Sequence, residues 1–215
     1  MKNSNLKSNI LRLHPWLDKD NKFMIFSNCK CASTSLIYVF EGKVERFRTL
    51  GSEKYEARLN SFNIEETFKC TVVRNPWARV VSAYHFLYNH ENSYIPSDVD
   101  FSCFVEDILP KISLYETEEF RTKLVSYPEE ITKEEFIAHH LQYQYEKVEC
   151  VDFTARLENI QEDWEIIKEN TGANKKLLRK RQSKRENYRL YYNGSTREIV
   201  SKLYAKDIEV LSYVF

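Results

Sequence analysis

Two short apolar runs each break into a polar junction and then into a helix-like segment, and this pattern restricts the fold more than any other feature of the chain. Phe23-Met24-Ile25-Phe26 passes through Ser27-Asn28-Cys29-Lys30-Cys31 into Ala32-Ser33-Thr34-Ser35-Leu36-Ile37-Tyr38-Val39-Phe40. Phe68-Lys69-Cys70-Thr71-Val72-Val73 passes through Arg74-Asn75-Pro76 into a segment from Trp77 to Tyr88. A continuous apolar run of this length reads as a strand covered on both faces. A serine or threonine is expected to cap the first helix, and Asn75 followed by Pro76 at the first helical position suits the second. A third run, Val151-Asp152-Phe153-Thr154-Ala155, precedes an amphipathic segment from Ile160 to Glu169 that closes at Thr171-Gly172, a C-terminal stop. Strands alternating with helices predict an α/β fold: a central parallel sheet flanked by helices.

The rest of the chain fits one unit around that sheet. At 215 residues a single core buries about 70% of the surface its unfolded chain exposes, so residues 1–215 read as one domain. Residues 1–20 read as an N-terminal extension, and residues 91–127, without a clean period, as an insertion of short helices and loops suited to acceptor binding. Glu134 to Tyr145 reads as a further helix, and Ile199 to Phe215 as an amphipathic end that docks. Lys+Arg 32 against Asp+Glu 32 leaves no global field, so nothing favours nucleic acid or an anionic membrane. Peripheral membrane contact stays open. Met1 to Leu13 has no apolar core of a signal peptide, and no stretch of about 18 uncharged apolar residues spans a bilayer. The expected place is the cytoplasm. Five cysteines, Cys29, Cys31, Cys70, Cys103 and Cys150, are odd in number and fit free thiols in a reducing compartment. Cys29 and Cys31 lack partners for a zinc site, because His139 and His140 are adjacent and diverge on a helix, with His139 expected on the other face.

The junctions carry the chemistry. A strand that enters a polar loop and then a helix presents free N–H groups to an anion, and Lys30, Thr34 and Ser35 add a cation and hydroxyls there. The layout is that of a P-loop, but Ser27 and Ala32 stand where glycines are expected. A capped helix with Lys30 in solvent is the plain alternative. Arg74 falls at a strand's carboxyl end, where open parallel sheets bind ligands, and Ser82 follows on the helix. Arginine suits bidentate capture of phosphate. Two phosphate sites result, with no plausible magnesium carboxylate at a strand end.

Lys30-Cys31-Ala32-Ser33-Thr34-Ser35, together with Val73-Arg74-Asn75-Pro76-Trp77-Ala78-Arg79-Val80-Val81-Ser82-Ala83-Tyr84, resembles the two cofactor signatures of the Golgi-type carbohydrate sulfotransferase family, which includes the chondroitin and HNK-1 sulfotransferases. His140-Leu141-Gln142-Tyr143-Gln144 is similar to its H-x-x-P-Q element, Val151 to Asn159 to its V-D-F-x-G-R-x-E-N strand, and Tyr204 to Phe215 to its closing Y-x-x-D-I-x-x-x-x-Y-x-F. The resemblance implies a P-loop-like sulfotransferase fold and metal-independent transfer of a sulfuryl group from 3′-phosphoadenosine 5′-phosphosulfate (PAPS) to a hydroxyl, usually on a sugar of a glycan or glycolipid. It implies that Lys30, Ser33, Thr34 and Ser35, within a loop that includes Cys31 and Ala32, hold the 5′-phosphosulfate. It implies that Arg74 and Ser82 hold the 3′-phosphate.

Departures from the family pattern are Tyr143 for its proline, Ala155 for its glycine, and Lys180-Arg181-Gln182-Ser183 as a loose match to an N-x-S element. Ser183, Lys184 and Arg185 are therefore cofactor candidates; the basic block from Lys175 to Arg189 also reads as a solvated face or as a strip for a polyanionic acceptor. A general base is required for hydroxyl attack. His140, matching a family element, is one candidate, with Glu41 or Glu45 between the two signatures as the others. A magnesium-dependent P-loop kinase and a non-catalytic anion-binding module are the competing function classes.

Overall fold

The computed structural model describes residues 2–46, 52–115, 117, 120, 131–177 and 186–215. Its elements in chain order are α1 (Lys2–Leu13), β1 (Trp16–Asp18), β2 (Phe23–Phe26), α2 (Ser33–Val39), β3 (Val44–Glu45), α3 (Ser52–Asn60), β4 (Phe68–Val73), α4 (Pro76–Tyr88), α5 (Lys133–Leu141), α6 (Tyr145–Val148), β5 (Phe153–Arg156), α7 (Ile160–Thr171), α8 (Gly194–Leu203) and α9 (Ala205–Leu211). Residues Phe101 to Tyr115 form one more helical stretch, passing from α through a π turn to a 3-10 end.

The sheet order is β3-β1-β2-β4-β5. The three strands expected from the sequence form its parallel part, with Phe26 opposite Thr71 and Val73 opposite Arg156. The sheet is mixed rather than wholly parallel, because β1 runs antiparallel to both β2 and β3. Residues 1–20 are thus no mere extension. Leu17 is fully buried in β1 and Ile10 of α1 packs beneath it.

Side chains of β2 alternate between two cores, as a period of two requires. Phe23 and Ile25 join Leu36 and Val39 of α2 and Trp164 of α7, whereas Met24 and Phe26 join Ile10 of α1 and Tyr55 and Leu59 of α3. Covering both faces explains why β2 carries no polar residue. A third cluster surrounds α4, whose residues are buried on nearly every side, the polar Arg79 and Ser82 included. Phe101, Phe104, Leu109 and Ile112 belong to it, so much of the 91–127 insertion is packed against the core; residues 116, 118, 119 and 121–127 of that span lie outside the described residues.

Local signals set the ends of several elements. The Asn75 side chain accepts from the Ala78 N–H at 3.2 Å, with Pro76 at the first position. Gly172 ends α7 at φ 63°, the left-handed stop that glycine adopts at low cost. Thr132 and Glu135 exchange bonds in a capping box at the start of α5. That helix stops at Leu141 instead of continuing to Tyr145. The cause is Asp207 of α9, whose buried carboxylate accepts from the N–H groups of Gln144, at 2.9 and 3.1 Å, and Tyr145, at 2.9 Å. These N–H groups would otherwise bond back along the helix. Among the described residues, no helix is long and apolar enough to cross a membrane, and no group of three or more His, Cys, Asp or Glu is placed to hold a metal ion.

Candidate active site

At the first junction, Asn28 fixes the loop between β2 and α2. Its Nδ2 donates to Thr71 Oγ1 at 3.0 Å and to the Val72 carbonyl at 3.1 Å, and its Oδ1 accepts from Lys147 Nζ at 3.0 Å. Ser33 Oγ donates back to the Asn28 carbonyl at 2.7 Å, which closes the loop on itself. Lys30 and Ala32 both take positive φ, 66° and 62°, in a region that costs an alanine about 1–2 kcal/mol. The expected Ser/Thr cap is absent: Ala32 stands at the cap position in the left-handed conformation, with no side-chain bond. This is where the sequence lacks the glycine of a P-loop, and the backbone adopts the glycine-like turn all the same. Thr34 is exposed and Ser33 half-buried at the first turn of α2, while Ser35 is buried.

At the second junction, Gln144 holds Arg74 by both backbone groups. Its Oε1 accepts from the Arg74 N–H at 2.8 Å, and its Nε2 donates to the Arg74 carbonyl at 2.9 Å. The same Oε1 accepts from the buried Cys31 thiol at 3.3 Å, so one amide ties the two junctions together. Asp207 orients that amide by accepting from Nε2 at 3.3 Å. Glu158 bridges further out, taking the Asn75 N–H at 2.8 Å and the Tyr213 hydroxyl at 2.9 Å. The Arg74 guanidinium, half-buried, donates from Nη1 to the Lys30 carbonyl at 3.4 Å. Burial draws its pKa below the ordinary arginine value, yet arginine keeps its charge in proteins. Ser82 is buried two turns into α4. Arg79 is spent on structure: it lies 2% exposed, 3.9 Å from Asp207 Oδ2, with its guanidinium 5.1 Å from the Tyr204 ring.

Lys30 and His140 meet at one aromatic ring. Lys30 Nζ sits 3.7 Å from the centroid of Phe86, and the His140 ring lies 4.7 Å from the same ring. His140 Nδ1 is 2.9 Å from the Phe136 carbonyl. A carbonyl only accepts, so Nδ1 carries the hydrogen and the neutral ring keeps its lone pair on Nε2. Burial pushes the His140 pKa down to about 4, which keeps the ring neutral near pH 7.

The other candidates fall elsewhere. Glu41 is exposed just beyond the far end of α2, about one helix length, some 10 Å, from the loop at its start. Glu45 is taken by Arg58 at 2.7 Å. Ser183, Lys184 and Arg185 lie outside the described residues. His139 is not turned away as expected: its Nε2 lies 3.3 Å from Cys29 Sγ in the first junction. Sequence reasoning gave no role to Asn28, Lys147, Glu158 or Asp207. Gln144, Glu158 and Asp207 stand inside the matched motif segments, which marked their positions without revealing their partners.

No curated protein and no solved structure matches this chain. A family profile does, that of the sulfotransferase family, over residues 8–214. That span takes in both junctions, the 3-10 turn after β5 with Glu158 and the helix with Asp207, and on this match the chain belongs to the sulfotransferase family.

Proposed function

We propose that this protein transfers a sulfuryl group from PAPS to a carbohydrate hydroxyl, on a glycan or glycolipid, with its two strand-to-helix junctions as a P-loop-like donor site. The observation that carries the reading is the contact of Arg74 with the Lys30 carbonyl. It brings two cation-bearing junctions side by side at the carboxyl ends of adjacent parallel strands, where such sheets take ligands. The donor chemistry fits an anion with two phosphate-type ends. Among the described residues, Arg74 has no carboxylate within 4 Å and a single side-chain hydrogen bond, leaving guanidinium N–H groups for a phosphate. Asp152, one residue before β5, is committed to Lys69, whose backbone N–H and Nζ lie 2.8 and 2.9 Å away.

When bound, PAPS supplies an activated sulfuryl group on a bridging oxygen. Lys30, Ser33, Thr34 and Ser35 hold the 5′-end, and Arg74 and Ser82 hold the 3′-phosphate. Lys30 also neutralises charge that develops on the leaving oxygen. His140 takes the proton of the acceptor hydroxyl at Nε2, while its Nδ1–H bond to Phe136 keeps the ring oriented. Replacing such a base costs about 10²–10⁴-fold in turnover; His140→Asn retains a donor towards the Phe136 carbonyl and separates that role from folding.

The test is a thermal-shift comparison, with chelator present, of 3′-phosphoadenosine 5′-phosphate against ADP and ATP. A ligand at 100 times its dissociation constant adds about 2.7 kcal/mol, which raises the melting temperature by several degrees in a chain of this size. A shift with the 3′-phosphorylated nucleotide alone is expected; none, or a larger one with ATP and magnesium, overturns the donor. Assay of sugar, phenol and peptide hydroxyls then tests the acceptor, with turnover confined to phenols or peptides refuting the carbohydrate assignment.

A further inference from the structure

We propose that Cys29 and His139 form a reactive thiol–imidazole pair in the first junction, and that oxidation of Cys29 by a peroxide closes the site to its anionic donor. The first half stands on geometry alone; the second rests on the donor site proposed above.

Cys29 Sγ lies 3.3 Å from His139 Nε2, and the thiol is partly exposed. A sulfur nucleophile within hydrogen-bond reach of an imidazole is the arrangement that activates cysteine, because only the thiolate is nucleophilic. The charged and titratable groups around it come from four elements: Lys30 beside it in the loop, His140 on α5, Lys147 on α6 and Arg79 on α4, with Cys31 as the neighbouring thiol. Lys147 reaches the adjacent Asn28 through its Oδ1.

The other four thiols lack this setting. Cys31 and Cys70 are sealed from solvent, and burial pushes both up to about 12. Cys150 is buried and likewise raised. Cys103 is exposed, but its bond with Asp100 raises it.

In the step itself, the Cys29 proton passes to His139 Nε2 and the sulfur attacks one peroxide oxygen. An S–O bond forms, the O–O bond breaks, and the departing hydroxide takes the proton from His139 as water. Sulfur is oxidised to the sulfenic acid and the peroxide is reduced, two electrons in all. One small thiol converts this to a mixed disulfide with loss of water, and a second releases Cys29 as the small disulfide departs. The added oxygen stands one residue from Lys30, where it opposes an anionic ligand by its bulk.

The test uses the full chain. Limiting iodoacetamide at pH 7.5, with the labelled peptides mapped by mass, is expected to modify Cys29 at least tenfold faster than the more exposed Cys103. His139→Gln should cut the Cys29 rate about tenfold and leave Cys103 unchanged. Faster labelling of Cys103 in the wild-type protein, which needs no variant, overturns the pair, as does an unchanged Cys29 rate in a His139→Gln protein that melts normally. For the second half, hydrogen peroxide should abolish the thermal shift given by 3′-phosphoadenosine 5′-phosphate, dithiothreitol should restore it, and Cys29→Ser should make it peroxide-resistant. An undiminished shift in protein with mass-confirmed oxidation at Cys29 refutes the closure. Absence of any shift in untreated protein refutes the donor site, and with it the closure, while the labelling ratio still decides the pair.

Discussion

Lowering the pH from 7.5 to 5.5 should destabilise this protein through His140 by an amount that can be worked out in advance. In the unfolded chain the imidazole titrates near 6.5; in the fold, burial pushes it down to about 4. The unfolded state therefore binds the proton more readily, so the contribution is fully present above 6.5 and is lost as pH falls towards 4. Between pH 7.5 and 5.5 the loss is about 1.3 kcal/mol, and far below pH 4 it reaches about 3.4 kcal/mol. The assay is urea unfolding of the wild type and His140→Asn at both pH values. Other groups titrate in both proteins, so the difference between their pH dependences isolates this residue. The variant should lose about 1.3 kcal/mol less than the wild type, or about 3–5 °C in melting temperature. His14, also held near 4 by burial, should behave alike, and the double variant should flatten the profile by the sum. A His140→Asn protein that loses as much stability as the wild type between the two pH values would refute the reasoning.

Asp207→Ala should cost about 3–5 kcal/mol, because it strands the buried Arg79 and three N–H donors on Gln144 and Tyr145; a change in urea midpoint of less than about 0.5 M would contradict this. Ala32→Gly should raise stability by about 0.5 kcal/mol, since relief of the left-handed backbone exceeds the entropy that glycine adds to the unfolded chain; a lower melting temperature would show that the alanine methyl contributes packing. Arg74→Ala and Ser82→Ala should each weaken binding of 3′-phosphoadenosine 5′-phosphate at least tenfold more than binding of adenosine 5′-phosphate, measured by calorimetry. Equal losses would misplace the 3′-phosphate site. Lys30→Ala should lower turnover more than product-nucleotide affinity, and the reverse pattern would make Lys30 an anchor alone.

What the sequence discloses here is whatever lies close together along the chain. The β2 and β4 junctions, the Asn75-Pro76 start of α4 and the Gly172 stop of α7 are each written within a few residues, so local rules find them. Strand β1 is not: Trp-Leu-Asp has no alternating pattern, and its burial comes from α1 and α3 folding over it. The left-handed Ala32 defeats propensity, because alanine rarely adopts that conformation and surrounding bonds impose it here. The break after Leu141 is caused by a carboxylate 63 residues from Gln144, which no window could register. His139 and His140, adjacent on a helix, both end up facing the first junction, since the loop passes close enough to meet two neighbouring side chains.

The attachment of α9 to the Arg74 clamp has a consequence for biosynthesis. Lys30 and Arg74 emerge from the ribosome first, and Asp207, which aims the Gln144 amide, and the Val214 carbonyl, which accepts from Asn75 Nδ2 at 2.9 Å, emerge long after them. A nascent chain thus holds both cationic loops without the groups that set them in register. The two loops come into register only after residues 204–215 dock, so a nascent chain that stops short of them exposes its basic loops unassembled.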